Sequence, residues 1–416
     1  MKRILGVLAA LAVFAGTAAA QQAPLYYWVQ AGAGGQWLLR TVYDGATACP
    51  APATVRWRPG GDFPVLVCQQ TLGSAPVQLP GMARPVSAPS RVQRVVVIGD
   101  TGCRAQEQNC ADITSWPFAR VAAGAFGADG DLSVHVGDYI YRERCSAQVP
   151  QPCGDNWPTW VADWFRPVGE LLSASPWVFA RGNHEDCTRG GRGWFIFFDP
   201  RDLPATGCSP TTAPYAVPVQ GVGTLLILDS SCAPWYSTGC WSTGGSNPVN
   251  DSTQAIPAYA TELAALTQLA QGADPAWQVT HTPVWARDQG NEADSAGSYI
   301  LQGALRRVSP GGGLPPQVKL SLFGHIHLWE GLDFAAPRTP LLVLGNGGTS
   351  EVSGITPAAP GTRIDGVPVE GFWMTAAFGY TVLQASGAGW TATLVPVPGT
   401  GSGMTCTVGD AQMACR

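Results

Sequence analysis

The sequence predicts an α/β fold with mostly buried strands, and three observations carry that prediction. Short apolar runs recur at Val95–Gly99, Leu132–Gly137, Trp177–Ala180, Leu225–Leu228, Val279–His281, Val318–Phe323 and Leu341–Leu344. Helix-like stretches, such as Trp157–Ser173 and Ile256–Gln271, alternate with them. A hydrophobic fraction of 45% with 16 Trp supplies the core that such a fold needs and excludes disorder for most of the 416 residues.

The elements follow in order. Residues 1–20 read as a secretory leader, because Lys2 and Arg3 precede the apolar stretch Ile4–Ala15, and Ala18-Ala19-Ala20 ends in a small-x-small cleavage pattern. That stretch is short for a bilayer span, and no later apolar run is long enough to be a membrane anchor. Residues 21–73 carry short β-like stretches with Gly-rich turns, for example Tyr26-Tyr27-Trp28-Val29, and are expected to form a small β-rich N-terminal module. Pro76, Pro80, Pro85 and Pro89 mark residues 74–90 as a linker. The α/β domain spans 91–396, and Cys406 with Cys415 is expected to tie down the tail at 397–416.

Composition narrows the class. Only 13% of residues are charged, against about 25% in an average globular protein. The net charge of −5 gives no support for binding to a nucleic acid or an anionic membrane. All 12 Cys follow Ala20, an even count that suits disulfides in an oxidising compartment, secreted or periplasmic; no Cys-x-x-Cys spacing supports zinc. Taken in order they fall into close couples, Cys49/Cys68, Cys103/Cys110, Cys145/Cys153, Cys187/Cys208, Cys232/Cys240 and Cys406/Cys415, although spacing alone leaves connectivity open.

The chemistry sits where the apolar runs end. One run leads into Asp100-Thr101-Gly102, another into Asp138-Tyr139-Ile140-Tyr141, and a third into Arg181-Gly182-Asn183-His184-Glu185. Two more lead to His281 and to Gly324-His325-Ile326-His327. In open α/β sheets, ligands bind beyond the carboxyl ends of strands. A single strand-end Asp usually caps a helix, but five such ends in one domain need another explanation. Four of the five His fall in these segments, and the fifth, His135, lies within a strand run and reads as a core residue. Residues two apart on an extended segment point to one side, so His325 and His327 suit neighbouring ions. Asp138 and Tyr141, three apart, would share a face if one helical turn joined them. Oxygen and imidazole ligands suit Fe, Zn or Mn.

These motifs, Gly99-Asp100-x-Gly102, Gly137-Asp138-x-x-Tyr141, Gly182-Asn183-His184-Glu185, His281 and Gly324-His325-x-His327, resemble those of the calcineurin-like metallophosphoesterases. More narrowly they resemble the purple acid phosphatases, in which a tyrosinate replaces the His that the wider superfamily carries in its first motif, here Gly102. The resemblance covers about Arg94 to Gly348 and implies a sandwich of two mixed β-sheets flanked by helices. It implies two metal ions, Fe paired with Fe, Zn or Mn. Asp100, Tyr141 and His327 would hold the first, Asp138 would bridge, and Asn183, His281 and His325 would complete the second site. His184 would stand beside the leaving oxygen, with Glu185 in support. One departure touches His281: the family's Val three residues earlier is Gln278 here, with Val279 a step later.

Two cations lower the pKa of bound water toward neutrality, so the expected reaction is direct attack of hydroxide on a small phosphorylated substrate. The expected function is an exported phosphatase acting on phosphomonoesters. A phosphodiesterase on the same scaffold is the near alternative, and a secreted metal-containing binding protein without turnover is the distant one. Arg142, Arg144, Arg181, Arg189 and Arg192 lie near the motif loops as candidate phosphate contacts, and Trp194 and Trp235 as candidate stacking surfaces.

Overall fold

The computed structural model describes residues 22–149, 151–234, 240–241, 251–287, 297–352, 355, 361–387, 389–410 and 412–416. The expected leader and Trp235 lie outside them. Two mixed sheets of 11 and 8 strands, among the described residues, pack face to face. At the centre of the first, Arg94–Ile98, Leu132–His135 and Trp177–Phe179 run parallel. At the centre of the second, Gly223–Ile227, Ala276–Val279, Val318–Phe323 and Leu341–Leu344 do the same.

Strand alternation explains the layers, because successive side chains point to opposite faces. Val95, Val97 and Val134 face inward onto Leu225, Ile227, Val279, Leu320 and Leu322, and this is the core between the sheets. Val96 and Ile98 face outward and are covered by the helix Phe118–Gly127 through Phe118, Val121 and Ala125. On the far side, Leu226, Leu228 and Ala276 are covered by Ser252–Ala270 and Tyr299–Val308. Strands buried on both faces read as continuous apolar runs, which is why the sequence displays them so clearly.

The four N-terminal strands, Tyr26–Ala31, Trp37–Asp44, Thr54–Trp57 and Val65–Thr71, extend the first sheet: Gln30 pairs in parallel with Trp177. Arg40, fully buried, donates to the carbonyls of Phe197 (2.6 Å) and Asp199 (2.7 Å), and Arg56 donates to that of Arg201 (2.7 Å). They thereby satisfy carbonyls at and just beyond the end of the short helix Gly191–Phe197, which would otherwise be buried without donors. The segment 74–90 is irregular, but Met82 and Val86 are buried in the inter-sheet core.

Two local expectations change. The stretch Trp157–Ser173 is one turn of α-helix that runs into a π turn over Val161–Phe165, and a 3-10 turn over Gly169–Ser173 follows after Arg166-Pro167-Val168. The second helix starts at Ser252, earlier than Ile256, because Asp251 caps it through Thr253 N, and Pro257 falls early in the helix. All six sequential cysteine couples are disulfide-bonded. No helix among the described residues is long and apolar enough to cross a membrane.

Candidate metal centre

The five motif loops meet beyond the carboxyl ends of the central strands. Three residues there hold left-handed backbone: Asp100 (φ 55°), Asp138 (φ 60°) and His325 (φ 74°), out of five such non-glycine residues among those described. That conformation costs a non-glycine residue about 1–3 kcal/mol and persists only where its surroundings impose it. Its effect is to turn each side chain sharply off its strand into a common space. Gly137 (φ 104°) cannot carry a side chain, because a Cβ there would lie 2.5 Å from His281 Nδ1.

Asp138 is shared by two ligand sets, one with His281 and His325 and the other with Asp100 and His327; within each set the ligand atoms lie within 4.8 Å of one another. Tyr141 Oη joins the second set at 3.0 Å from Asp100 Oδ1, 2.9 Å from Asp138 Oδ2 and 3.0 Å from His327 Nε2. Asn183 Oδ1 joins the first, 3.0 Å from His281 Nε2 and 2.7 Å from His325 Nδ1. All seven expected ligands are therefore together, including His281 despite buried Gln278 in its strand. Tyr141 reaches Asp138 through an irregular loop; no helical turn joins them.

The donor set fits cations. His281 Nδ1 lies 2.9 Å from Val136 O, and His327 Nδ1 lies 2.9 Å from Ser350 O, so each proton goes to a carbonyl and each Nε2 faces the cluster. Burial, with the His281 charge, pulls the His325 imidazole down to about 3. Burial, with the Arg104 charge, pulls His327 well down too. Both rings are thus neutral and competent as ligands. Burial would raise Asp138, but His281 and His184 outweigh it and hold the carboxyl well below its usual range. Tyr141 has one proton for three acceptors, and His281 Nε2 lies 3.2 Å from His325 Nδ1. The cluster is rich in lone pairs, as a cation site must be.

Around it stand residues of differing use. His184 donates its backbone N–H to Asp138 Oδ1 (2.9 Å), and its Nδ1 lies 2.9 Å from Glu143 Oε1. Its ring centroid is 4.0 Å from that of Tyr141. Burial pushes Glu143 up, but His184 and Arg189 outweigh it, so this carboxylate stays ionised. Glu185 accepts from the backbone N–H of Asp138, Tyr139, Ile140 and Gly182, so its support goes to the Asp138 loop, while Glu143 is the carboxylate on the His184 ring. His135 is in the core, stacked on Tyr139 at 4.0 Å.

The candidate phosphate contacts separate. Arg142 is buried on Asp163, and Arg181 is buried on Asp229 and the Glu185 carbonyl. Arg189 lies 3.4 Å from Asp186 Oδ2 and 3.9 Å from Glu143 Oε1. Arg144 reaches Thr188, while Arg192 lies over Trp57 and Phe63. Trp194 is a core residue. Glu143 and Arg104 were not anticipated; Glu143 lies between Arg142 and Arg144 with no motif spacing, and only the proximity of Arg104 to Gly102 in sequence hinted at its place.

Two adjoining oxygen-and-imidazole sets on a two-sheet sandwich define the class of this protein as a metal-dependent phosphoester hydrolase. It belongs to the calcineurin-like phosphoesterase family, whose model matches residues 93–328, more than half of the chain; the family binds two metal ions. Among solved structures the fold resembles PhoD (11% identity, 94% of this chain and 91% of that one covered, TM-score 0.50). Other similar structures are GAP50, the anchor in the inner membrane complex of Plasmodium (14%, 78% and 90%, 0.47), and a dimetal phosphatase from Danio rerio (10%, 78% and 99%, 0.40). No curated protein matches the chain.

Proposed function

We propose that the protein is an exported phosphatase of the purple acid phosphatase type that hydrolyses phosphomonoesters. The observation that carries this reading is Tyr141 Oη, placed among Asp100, Asp138 and His327 while Asp138 is shared with the set of Asn183, His281 and His325. Asp100, Tyr141 and His327 would hold one ion, iron by the tyrosinate chemistry, and Asn183, His281 and His325 the other, Fe, Zn or Mn, with Asp138 between them. Two bound ions would supply Lewis-acid chemistry: a nucleophile from water near neutral pH and neutralised phosphate charge.

The chain's own residues do the rest. Glu143 fixes the His184 ring through Nδ1, leaving Nε2 to carry a proton to the departing oxygen. Glu185 holds the Asp138 loop by its backbone, so the shared carboxylate keeps its position without a mobile contact. Three disulfides, Cys103–Cys110, Cys145–Cys153 and Cys187–Cys208, close the loops that follow Asp100, Tyr141 and His184, and support an oxidising compartment. Steady-state assay of the metal-loaded chain on a chromogenic monoester and a chromogenic diester tests the reading. Monoester turnover well above diester turnover is expected; full metal occupancy with hydrolysis of neither would leave a metal-containing binding protein.

A further inference from the structure

We propose that Arg104 is the residue that selects phosphate dianions, and hence monoesters over diesters, at this centre; the inference rests on the phosphatase reading above. The Arg104 guanidinium carbon lies 5.2 Å from the centroid of the Tyr141 ring, whose hydroxyl lies within 3.0 Å of Asp100, Asp138 and His327.

What distinguishes Arg104 is how little opposes its charge. Arg142 and Arg181 each pair with a buried carboxylate, and Arg189 lies between Asp186 and Glu143. The ion-pair partner of Arg104 is Glu107, at 3.4 Å and with 51% of its side chain exposed, an i,i+3 surface pair of the kind worth little. The Arg104 side chain is itself 32% exposed, so it meets solvent beside the Tyr141 ring.

The placement is rigid. Arg104 N donates to Gln108 Oε1 (3.1 Å), and Gln108 Nε2 donates to Ser115 O (2.8 Å) and Gly348 O (2.9 Å). The Cys103–Cys110 disulfide closes the loop. Ser350 Oγ donates to Glu107, and the carbonyl of Ser350 takes the His327 Nδ1 proton, so the arginine loop and a ligand imidazole are tied to one residue. These contacts fix the backbone at Arg104, while its guanidinium lies over the Tyr141 ring and beside Glu107, open to an oxyanion.

The chemistry follows from charge. Above a pKa of about 6, a phosphomonoester carries two negative charges on three non-ester oxygens. A diester carries one charge on two such oxygens, and its remaining position holds an alkoxy group that neither attracts nor accepts strongly from a guanidinium. A cation whose ion-pair partner is a half-exposed carboxylate therefore favours the dianion.

The test uses the metal-loaded full chain with Arg104→Met and Arg104→Lys, on p-nitrophenyl phosphate and methyl p-nitrophenyl phosphate, which share one leaving group. Arg104→Met should lower monoester kcat/KM by about 10–100-fold with diester kcat/KM within about twofold, and Arg104→Lys should recover part of the loss. Calorimetric titration with inorganic phosphate should show about tenfold weaker binding to Arg104→Met at unchanged metal content. Equal losses on both esters, or no loss and unchanged phosphate binding, would overturn the assignment. A wild-type protein that hydrolyses neither ester defeats the phosphatase reading instead, and the phosphate titration then decides Arg104 by itself.

Discussion

A Cβ built on Gly102 would lie 2.8 Å from Cδ2 of Tyr141. The same atom would lie 2.7 Å from Ile140 Cα and 2.8 Å from the carbonyl oxygen of Tyr139, so neither ring nor backbone has room to yield. The missing side chain in the first motif and the tyrosine after the second are therefore one steric decision: the ring occupies the space that a residue at 102 would need. Gly102→Ala should displace Tyr141 and lower kcat/KM by about 100-fold. It should cost about 1–3 kcal/mol of stability by overpacking. Steady-state kinetics beside thermal unfolding check both, and an alanine variant with wild-type activity would contradict the contact.

Tyr141→Phe separates the ligand from the ring. The phenyl group keeps its packing beside His184, so the fold and unfolding temperature should hold, while the hydroxyl among Asp100, Asp138 and His327 is lost. With ferric iron at this position, wild type should absorb visible light by ligand-to-metal charge transfer, and the variant should not. A band that survives the substitution assigns it to another ligand.

His184 and Glu143 should behave as one unit. His184→Ala is expected to lower kcat by about 10²–10⁴ and Glu143→Gln by about 10–100-fold. Both losses should be larger on an alkyl phosphate than on p-nitrophenyl phosphate, since a basic leaving oxygen needs the proton more. In the double variant the effects should not add, because Glu143 acts through the ring it holds. Additive losses independent of leaving group would place Glu143 elsewhere in the mechanism.

Metal uptake should depend on pH with a definite sign. In the metal-free protein, burial lifts the Asp100 carboxyl to about 7 against the pull of His281. Burial lowers His281, but Asp138 and Asp100 outweigh it and lift the imidazole to about 9. Both groups hold a proton below pH 7 and must release it to act as ligands. Burial also keeps the Tyr141 proton on the phenol well above its usual range, so loading both sites displaces three protons below about pH 7 and two from there to about pH 9, and apparent affinity should rise throughout, most steeply below pH 7. Competition against a chelator at pH 6, 7 and 8 measures this, and a flat profile would contradict it.

The site was legible because its ligands end strands buried on both faces, and such strands show as apolar runs stopping at Asp or His. The backbone that makes the ligands converge was not, since left-handed φ at Asp100, Asp138 and His325 arises from packing that no local pattern reports. The strands before residue 74 were visible, but their place in the first sheet depends on Gln30 meeting Trp177, a pairing across about 150 residues. Glu143 and Arg104 carry no spacing signature. Their roles come from the His184 ring and the Tyr141 ring that they lie against.

Two metal ions sharing Asp138 underlie every role assigned above, and metal content measured together with monoester turnover decides whether they are there. The wild-type chain should hold two ions, one for each of the ligand sets that meet at Asp138, and Asp138→Asn should lose metal and hydrolysis together. An active wild-type chain with a single ion, or Asp138→Asn with both ions and full turnover, would contradict it.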